Sequence, residues 1–292
     1  MEYIPAKTIV TRAKSGWFGM DYNMNVYRGC SHGCIYCDSR SECYHIDSFD
    51  EVRAKEHALE IIRNDLRRKV KTGVVATGSM SDPYNPAERE LQLTRHALEL
   101  LNAYEFGVGI ATKSDLVLRD MDVLSDIKEH SPVLIKVTIT TADDEQAGLV
   151  EPNAPVSSKR FEILRQMAEH GLYAGVLLMP VLPFLEDSEE NVLAVVERAA
   201  DCGARFIYPA FGMTLRRGNR EWYYDRLDEH YPGLSTQYRK QYGDSYVCTS
   251  PRAKQLWEVF RRACDQKGLL YDMQEIIRSY KMGYGDMQLK FF

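Results

Sequence analysis

The chain has 292 residues, 45% of them hydrophobic and 27% charged, with a formal net charge of −5. That is enough apolar material for a large α/β domain, and the charge balance excludes a surface that is basic all over, as a dedicated nucleic-acid binder would carry. Seven cysteines, an odd and modest number, exclude the dense even framework of a small secreted scaffold. The opening stretch "MEYIPAKTIVTRAKSG" lacks the apolar core of a signal peptide, and no run approaches the length of a membrane span. A cytoplasmic protein in a reducing compartment, with no membrane association, is therefore expected.

A β-rich run at 23–27 leads into a cysteine loop, and further runs follow at 73–78, 106–112, 133–140, 172–179 and 205–210. Their spacing of roughly 30 residues is that of a βα unit. Each run is nearly continuous in apolar or β-branched residues, as expected for strands covered on both faces. The segments between them read as helices. Over 51–70, Val52, Leu59, Ile62, Leu66 and Val70 fall on one face behind the capping candidates Asp47 and Ser48. Segment 87–104 carries Leu91, Leu98 and Leu101 in the same manner, and 116–129, 157–170 and 188–202 complete five crossovers. Six strands alternating with helices predict a parallel sheet, doubly wound or rolled into a partial barrel. Beyond about 215 the rhythm changes to aromatic and charged sequence, and 250–282 reads as two more helices. Residues 216–292 are therefore expected to be a helical extension of one domain spanning 1–292. Basic clusters at 63–71, 215–220 and 260–262 read as solvated helix faces.

The chemistry concentrates in "VYRGCSHGCIYCDS" at 26–39, where Cys30, Cys34 and Cys37 fall within eight positions and Cys43 follows. A reducing compartment argues against a disulfide staple. A structural zinc wants four ligands, usually as two separated pairs, and there is no second CxxC; only His32 or Cys43 could make up the count. Three close thiolates in a loop opened by Gly29 and Gly33, after the first strand, suit an iron–sulfur cluster with one iron left open.

The spacing C-x3-C-x2-C, with Tyr36 just before the last cysteine, resembles the signature of the radical S-adenosylmethionine superfamily. The loop "RGCSHGCIYC", then "TGSMSDPYNPAE", "ATKSDLVLRD" and "TITTADDEQAGLVEP" after the next three strands, are similar to its spore photoproduct lyase-like branch, over residues 20 to 215. The resemblance implies a partial (β/α)6 barrel, as in the TIM-barrel relatives, with the helical extension appended. It implies that Cys30, Cys34 and Cys37 hold a 4Fe–4S cluster, and that S-adenosyl-L-methionine is the second cofactor. Ser81 and Lys113 would contact the methionine end and carboxylate of that cofactor, with Tyr36 and Thr138 beside it. Tyr36 and Cys43 are the candidate catalytic residues. An electron donor such as flavodoxin or ferredoxin is implied as a partner.

One departure matters: Met80 stands where the lyase has the cysteine that returns a hydrogen atom to the repaired base, and a thioether has no S–H to give. The expected function is thus radical chemistry on a nucleic-acid base, as lyase-like DNA repair or as base modification. Radical chemistry on a peptide or small metabolite, and a non-catalytic iron–sulfur or zinc module, are the alternatives. Beside these residues, Asp82-Pro83-Tyr84 reads as a turn, Glu151-Pro152 as a loop end, Arg160 equally as a solvated helix residue or as a ligand, and Cys202, Cys248 and Cys264 as core or incidental. At the C-terminus, Gln288, Leu289, Phe291 and Phe292 resemble the short peptide by which bacterial repair proteins dock on the sliding clamp, which would imply DNA as a partner.

Overall fold

The structure, a computed structural model, describes residues 1–284. Its centre is a seven-stranded sheet: β1 (Val10–Arg12), β2 (Tyr22–Met24), β3 (Val74–Thr77), β4 (Gly107–Thr112), β5 (Val133–Thr138), β6 (Ala174–Leu178) and β7 (Ile207–Pro209). The spatial order is the chain order, β7-β6-β5-β4-β3-β2-β1, with β1 antiparallel and the rest parallel. Order without reversal excludes the doubly wound alternative, which needs a switch point. Between the parallel strands run α1 (Ala58–Arg67), α2 (Leu93–Ala103), α3 (Met121–Lys128), α4 (Ser157–Glu169) and α5 (Glu189–Asp201). Right-handed crossovers in sequential order put all of them on one face of the sheet.

Alternation along the strands sorts the two faces. Val75, Val108, Ile110, Ile135, Val137, Val176 and Leu178 point into the helix layer, against Ile62 and Leu66 of α1, Leu98 and Leu101 of α2, and Val192 and Val196 of α5. Val74, Leu134, Leu177 and Phe206 point the other way, where Phe18, Met20, Ile276 and Tyr280 close over them. Six strands were expected to be covered on both faces, and they are. The second cover, however, comes from an N-terminal turn and from the C-terminal helix, which lie more than 250 residues apart in the chain.

Beyond the sheet come α6 (Asn219–His230), α7 (Leu234–Tyr242), α8 (Ala253–Lys267) and α9 (Met273–Lys281). The last two are the helices expected within 250–282. The short strands Gly212–Thr214 and Val247–Thr249 pair antiparallel beside them. None of the described helices is long and apolar enough to cross a membrane. The clamp-like tail, Gln288 to Phe292, lies outside the described residues.

Three local expectations change. The run 23–27 is divided: Tyr22–Met24 joins the sheet, whereas Tyr27–Arg28 pairs with Arg53–Lys55 in a separate small sheet. The helix expected over 51–70 is confined to Ala58–Arg67, because His57 adopts left-handed backbone (φ 51°) at its start. Asp47 and Ser48 therefore cap nothing there, and Val70, past the helix end, is fully exposed. Helix 87–104 is likewise broken at Gln92 (φ 50°) into Glu88–Leu91 and α2.

Candidate active site and cofactor cavity

The cysteine loop leaves the first parallel strand at its C-terminal end and is shaped by backbone bonds from distant segments. Cys30 N–H donates to Phe49 O (2.8 Å), Ile35 N–H to Val150 O (3.0 Å), and Asn153 N–H to His32 O (3.0 Å). Asn219 of α6 donates through Nδ2 to Cys37 O at 2.7 Å. Gly29 has φ +81°, and a Cβ there would lie 2.6 Å from Phe49 O, so only glycine lets the loop close this tightly.

Cys30, Cys34 and Cys37 are free thiols that line one cavity of about 130 Å³ together with Met80, Ser81, Lys113 and Thr138. Gly78 admits this approach of strand ends: a Cβ on it would sit 1.9 Å from Ala111 O. No three His, Cys, Asp or Glu side chains among the described residues converge closely enough to hold a single metal ion. Three soft donors around a cavity, rather than around a point, fit a polynuclear iron–sulfur cluster with one corner free of protein ligands. Burial pushes all three thiols up, Cys30 to about 11 with Asp82 adding to the effect, so ligation has to displace protons from them.

Two buried carboxylates organise the wall. Asp82 accepts from Thr112 Oγ1 (2.7 Å), Lys113 N (2.8 Å) and Tyr84 N (2.9 Å), with His32 Nδ1 at 3.4 Å. It makes the expected turn and also ties the ends of β3 and β4 together. Glu151, 1% exposed, pairs with the Arg160 guanidinium, accepts from the Tyr36 hydroxyl and lies 3.8 Å from Lys113 Nζ. Arg160 is fully buried and also donates to Thr138 O (3.0 Å) and Pro155 O (2.6 Å). Glu151 does follow the end of a helix, Asp144–Val150, but of the two readings of Arg160 the solvated one is overturned. Helix α4 turns Arg160 inward beneath the end of β5, a contact that sequence spacing does not reveal.

The electrostatics follow. Burial would raise the Glu151 carboxyl, but Arg160 and Lys113 outweigh it and hold it below the ordinary value. Burial likewise opposes the charge on Lys113, and Cys34 and Glu151 more than offset that, so its amine stays cationic. Tyr36 is pushed up by burial and by Glu151, which keeps its hydroxyl protonated. A fixed ammonium, two hydroxyls (Ser81 and Thr138) and an aromatic ring therefore face one small cavity.

Next to it lies a second cavity of about 570 Å³, sharing Tyr36, Cys37, Ser39 and Ser79 with the first. Met179, Phe211, Met213 and Val247 make it largely apolar, and the hairpin from Gly212 and Val247 forms one wall. Asp38 is the one charged residue in its lining; it accepts from Tyr44 Oη (3.0 Å) and Thr214 Oγ1 (3.2 Å). Sequence reasoning missed this cavity because half of its lining comes from beyond the last strand of the sheet, at 210–214 and in the short strand Val247–Thr249.

Of the expected site residues, Cys30, Cys34, Cys37, Tyr36, Ser81, Lys113 and Thr138 line the small cavity together, and Met80 is among them. Cys43 is not brought there. It is exposed, lines neither cavity and faces Arg216 Nη1 across 3.2 Å. The short helical turn Glu42–Tyr44, downstream of the loop, carries it outward.

Comparisons with known proteins bear on the family and the fold. An uncharacterized protein of Mycobacterium tuberculosis is 32% identical over 228 residues, which cover 76% of this chain and 67% of that protein. The structure of spore photoproduct lyase complexed with dinucleoside spore photoproduct superposes with a TM-score of 0.67 at 15% identity, covering 90% of this chain and 79% of the lyase. A structure of the radical S-adenosylmethionine methyltransferase TsrM from Kitasatospora setae, with cobalamin and a [4Fe-4S] cluster bound, gives 0.57 at 11% identity, covering 90% and 61%. These two likenesses concern the fold. The sequence model of the Radical SAM superfamily matches residues 24–196, from the strand before the cysteine loop to helix α5. The chain belongs to the radical S-adenosylmethionine superfamily.

Proposed function

We propose that this protein is a radical S-adenosylmethionine enzyme whose substrate presents a neutral, flat group, best matched by a nucleic-acid base. The carrying observation is the pair of joined cavities: the small one lined by three thiols and Lys113, the large one apolar and free of cationic side chains in its lining. The lining offers no cation to a substrate carboxylate or phosphate, and its charged residue, Asp38, is already paired with Arg216 at 3.5 Å, which disfavours amino-acid and peptide-terminal substrates.

Cys30, Cys34 and Cys37 would hold a 4Fe–4S cluster. When bound, that group supplies the electron that splits S-adenosylmethionine into methionine and a 5′-deoxyadenosyl radical. This chain's own contribution is positional. Glu151, fixed by Arg160, holds Lys113 charged toward the cofactor carboxylate, while Ser81 and Thr138 offer hydroxyls to its polar groups. Tyr36, its proton kept by Glu151, forms part of the passage between the cavities. Met80 offers no S–H at the small cavity, so the reaction on the base differs in its closing step from that of spore photoproduct lyase. An electron donor of the flavodoxin or ferredoxin kind and DNA held through the sliding clamp belong to the same reading.

The test is anaerobic. Reduced, reconstituted protein should form 5′-deoxyadenosine faster in the presence of an oligonucleotide bearing altered bases than without it. Spore photoproduct dinucleotide should give little or no thymine. Stimulation by small metabolites or peptides but by no nucleic acid would overturn the base reading, and efficient thymine formation would overturn the role assigned to Met80.

A further inference from the structure

The opposite end of the sheet carries a feature that the proposed chemistry does not use. Residues 12–16, 20–22 and 68–72 enclose an open, polar cavity of about 530 Å³, into which Arg12, Lys14, Arg68, Lys69 and Lys71 converge. None of these five cations has a carboxylate within 4.0 Å among the described residues. Other arginines are paired: Arg216 lies 3.5 Å from Asp38 and Arg217 lies 3.1 Å from Glu42. The single acid in the wall, Asp21, is committed to Val74 N–H at 2.9 Å.

Like charges are not gathered by accident here, because hydrogen bonds to backbone groups hold the two cationic segments together against their repulsion. Asp65 of α1 accepts from Thr8 Oγ1 (2.9 Å), Ile9 N (2.7 Å) and Val10 N (2.9 Å), which pins the start of β1 to α1. Tyr22 Oη donates to Lys71 O (2.7 Å), and Lys69 Nζ donates to Val10 O (2.7 Å), which fixes the 68–72 connection to the β1–β2 hairpin. Arg12, Lys14, Arg68 and Lys71 remain exposed. In a chain of net charge −5, such a fixed concentration of unpaired cations has the electrostatics of an anion site.

We propose that this cavity binds a multiply charged phosphate ligand, either the backbone of a nucleic acid or a free polyphosphate group such as that of a nucleotide. Residues 20–22 and 68–72 lie at or before the starts of β2 and β3, whereas the thiol cavity is lined by residues at the C-terminal ends of β3, β4 and β5, so the site lies at the other end of the sheet. A ligand there is an anchor or an effector, not the reacting group. The proposal is independent of the substrate reading.

The probes are a labelled 20-nucleotide single strand, a 20-base-pair duplex and sodium triphosphate, titrated into the reconstituted full chain. If four cations contact phosphates, single-strand affinity should fall about 50-fold between 50 and 200 mM salt. R12A/K14A/R68A/K71A should weaken binding at least tenfold while leaving uncoupled 5′-deoxyadenosine formation unchanged, whereas R217A, at the other end, should bind as the wild type does. Protection of Lys14 and Lys71 from acetylation in the wild-type protein gives a readout that does not depend on how the variant folds. Binding of strands identifies a backbone site, and binding of triphosphate alone identifies a free polyphosphate site; both support the proposal. Absence of binding by all three probes at 50 mM salt, or binding without protection of either lysine, would overturn it.

Discussion

Two buried cations beside β5, Arg160 reaching in from α4 and Lys136 on the strand itself, stand in opposite circumstances. At the C-terminal end of β5, Arg160 is fully enclosed yet meets Glu151 and two backbone carbonyls, and Lys113 shares the same carboxylate. Two residues before Thr138, Lys136 is 4% exposed, with its amine 5.1 Å from the Phe18 ring and no carboxylate paired with it among the described residues. Burial alone pulls that amine down to about 7. Comparable burial therefore leaves a permanent charge beneath the end of β5, where a carboxylate is supplied, and a titrating amine within β5, where none is. Partnering, not depth, decides the protonation state at the cofactor end.

The largest effect concerns what the charged end is arranged around. Replacing Cys30, Cys34 or Cys37 by Ala should abolish iron binding on anaerobic reconstitution, read as loss of colour and of about four irons per chain. Cys43→Ala should retain all of them. An iron-free Cys43→Ala protein together with one silent change among the three would break the ligand assignment.

Next in size is Glu151→Ala, which leaves Arg160 buried without its counter-ion and should cost about 3–5 kcal/mol in denaturant unfolding. Glu151→Gln keeps the shape and loses the charge; a cost near zero would show that the pair matters no more than a neutral contact, and the comparison would fail. Lys136→Met should act in the opposite sense. The folded-state amine titrates near 7 against 10.5 for the ordinary lysine, so between those pH values the unfolded chain binds the extra proton and stability rises with pH. Below about 7 both states are protonated and the full burial penalty stands. The methionine variant should gain roughly 2–4 kcal/mol at pH 6 and lose the rise between pH 7 and 10. Parallel stability curves for variant and wild type would refute a titrating lysine.

The smallest effect is at the edge of the cavity. Lys113→Ala should keep the cluster and weaken S-adenosylmethionine binding by about 1.5–3 kcal/mol, the usual contribution of a charge-assisted hydrogen bond. Isothermal titration with unchanged affinity would remove Lys113 from the cofactor site.

Local sequence determined a good deal of this protein. The near-continuous apolar runs at 106–112 and 133–140 specify fully buried parallel strands, because a strand packed on both faces has no polar position to alternate with. Cys30, Cys34 and Cys37 are legible because their spacing lies within one loop, whereas Ser81, Lys113 and Thr138 are singled out through the family resemblance, which matches them at or after strand ends. Tertiary structure alone decided the rest. Arg160 looks like a surface residue in a helix until α4 packs, and Cys43 looks like a member of the cysteine loop until the turn after Cys37 carries it to the surface. Lys136 sits in a run that reads as pure core, and nothing local says whether a carboxylate will face it. The substrate cavity and the cationic cavity are each assembled from segments far apart in the chain, held by hydrogen bonds such as Asn219 to Cys37 and Asp65 to the backbone of Ile9 and Val10. Spacing reports what a residue's own strand or helix does with it; charge pairing and cavity walls depend on which segment arrives opposite, and packing settles that.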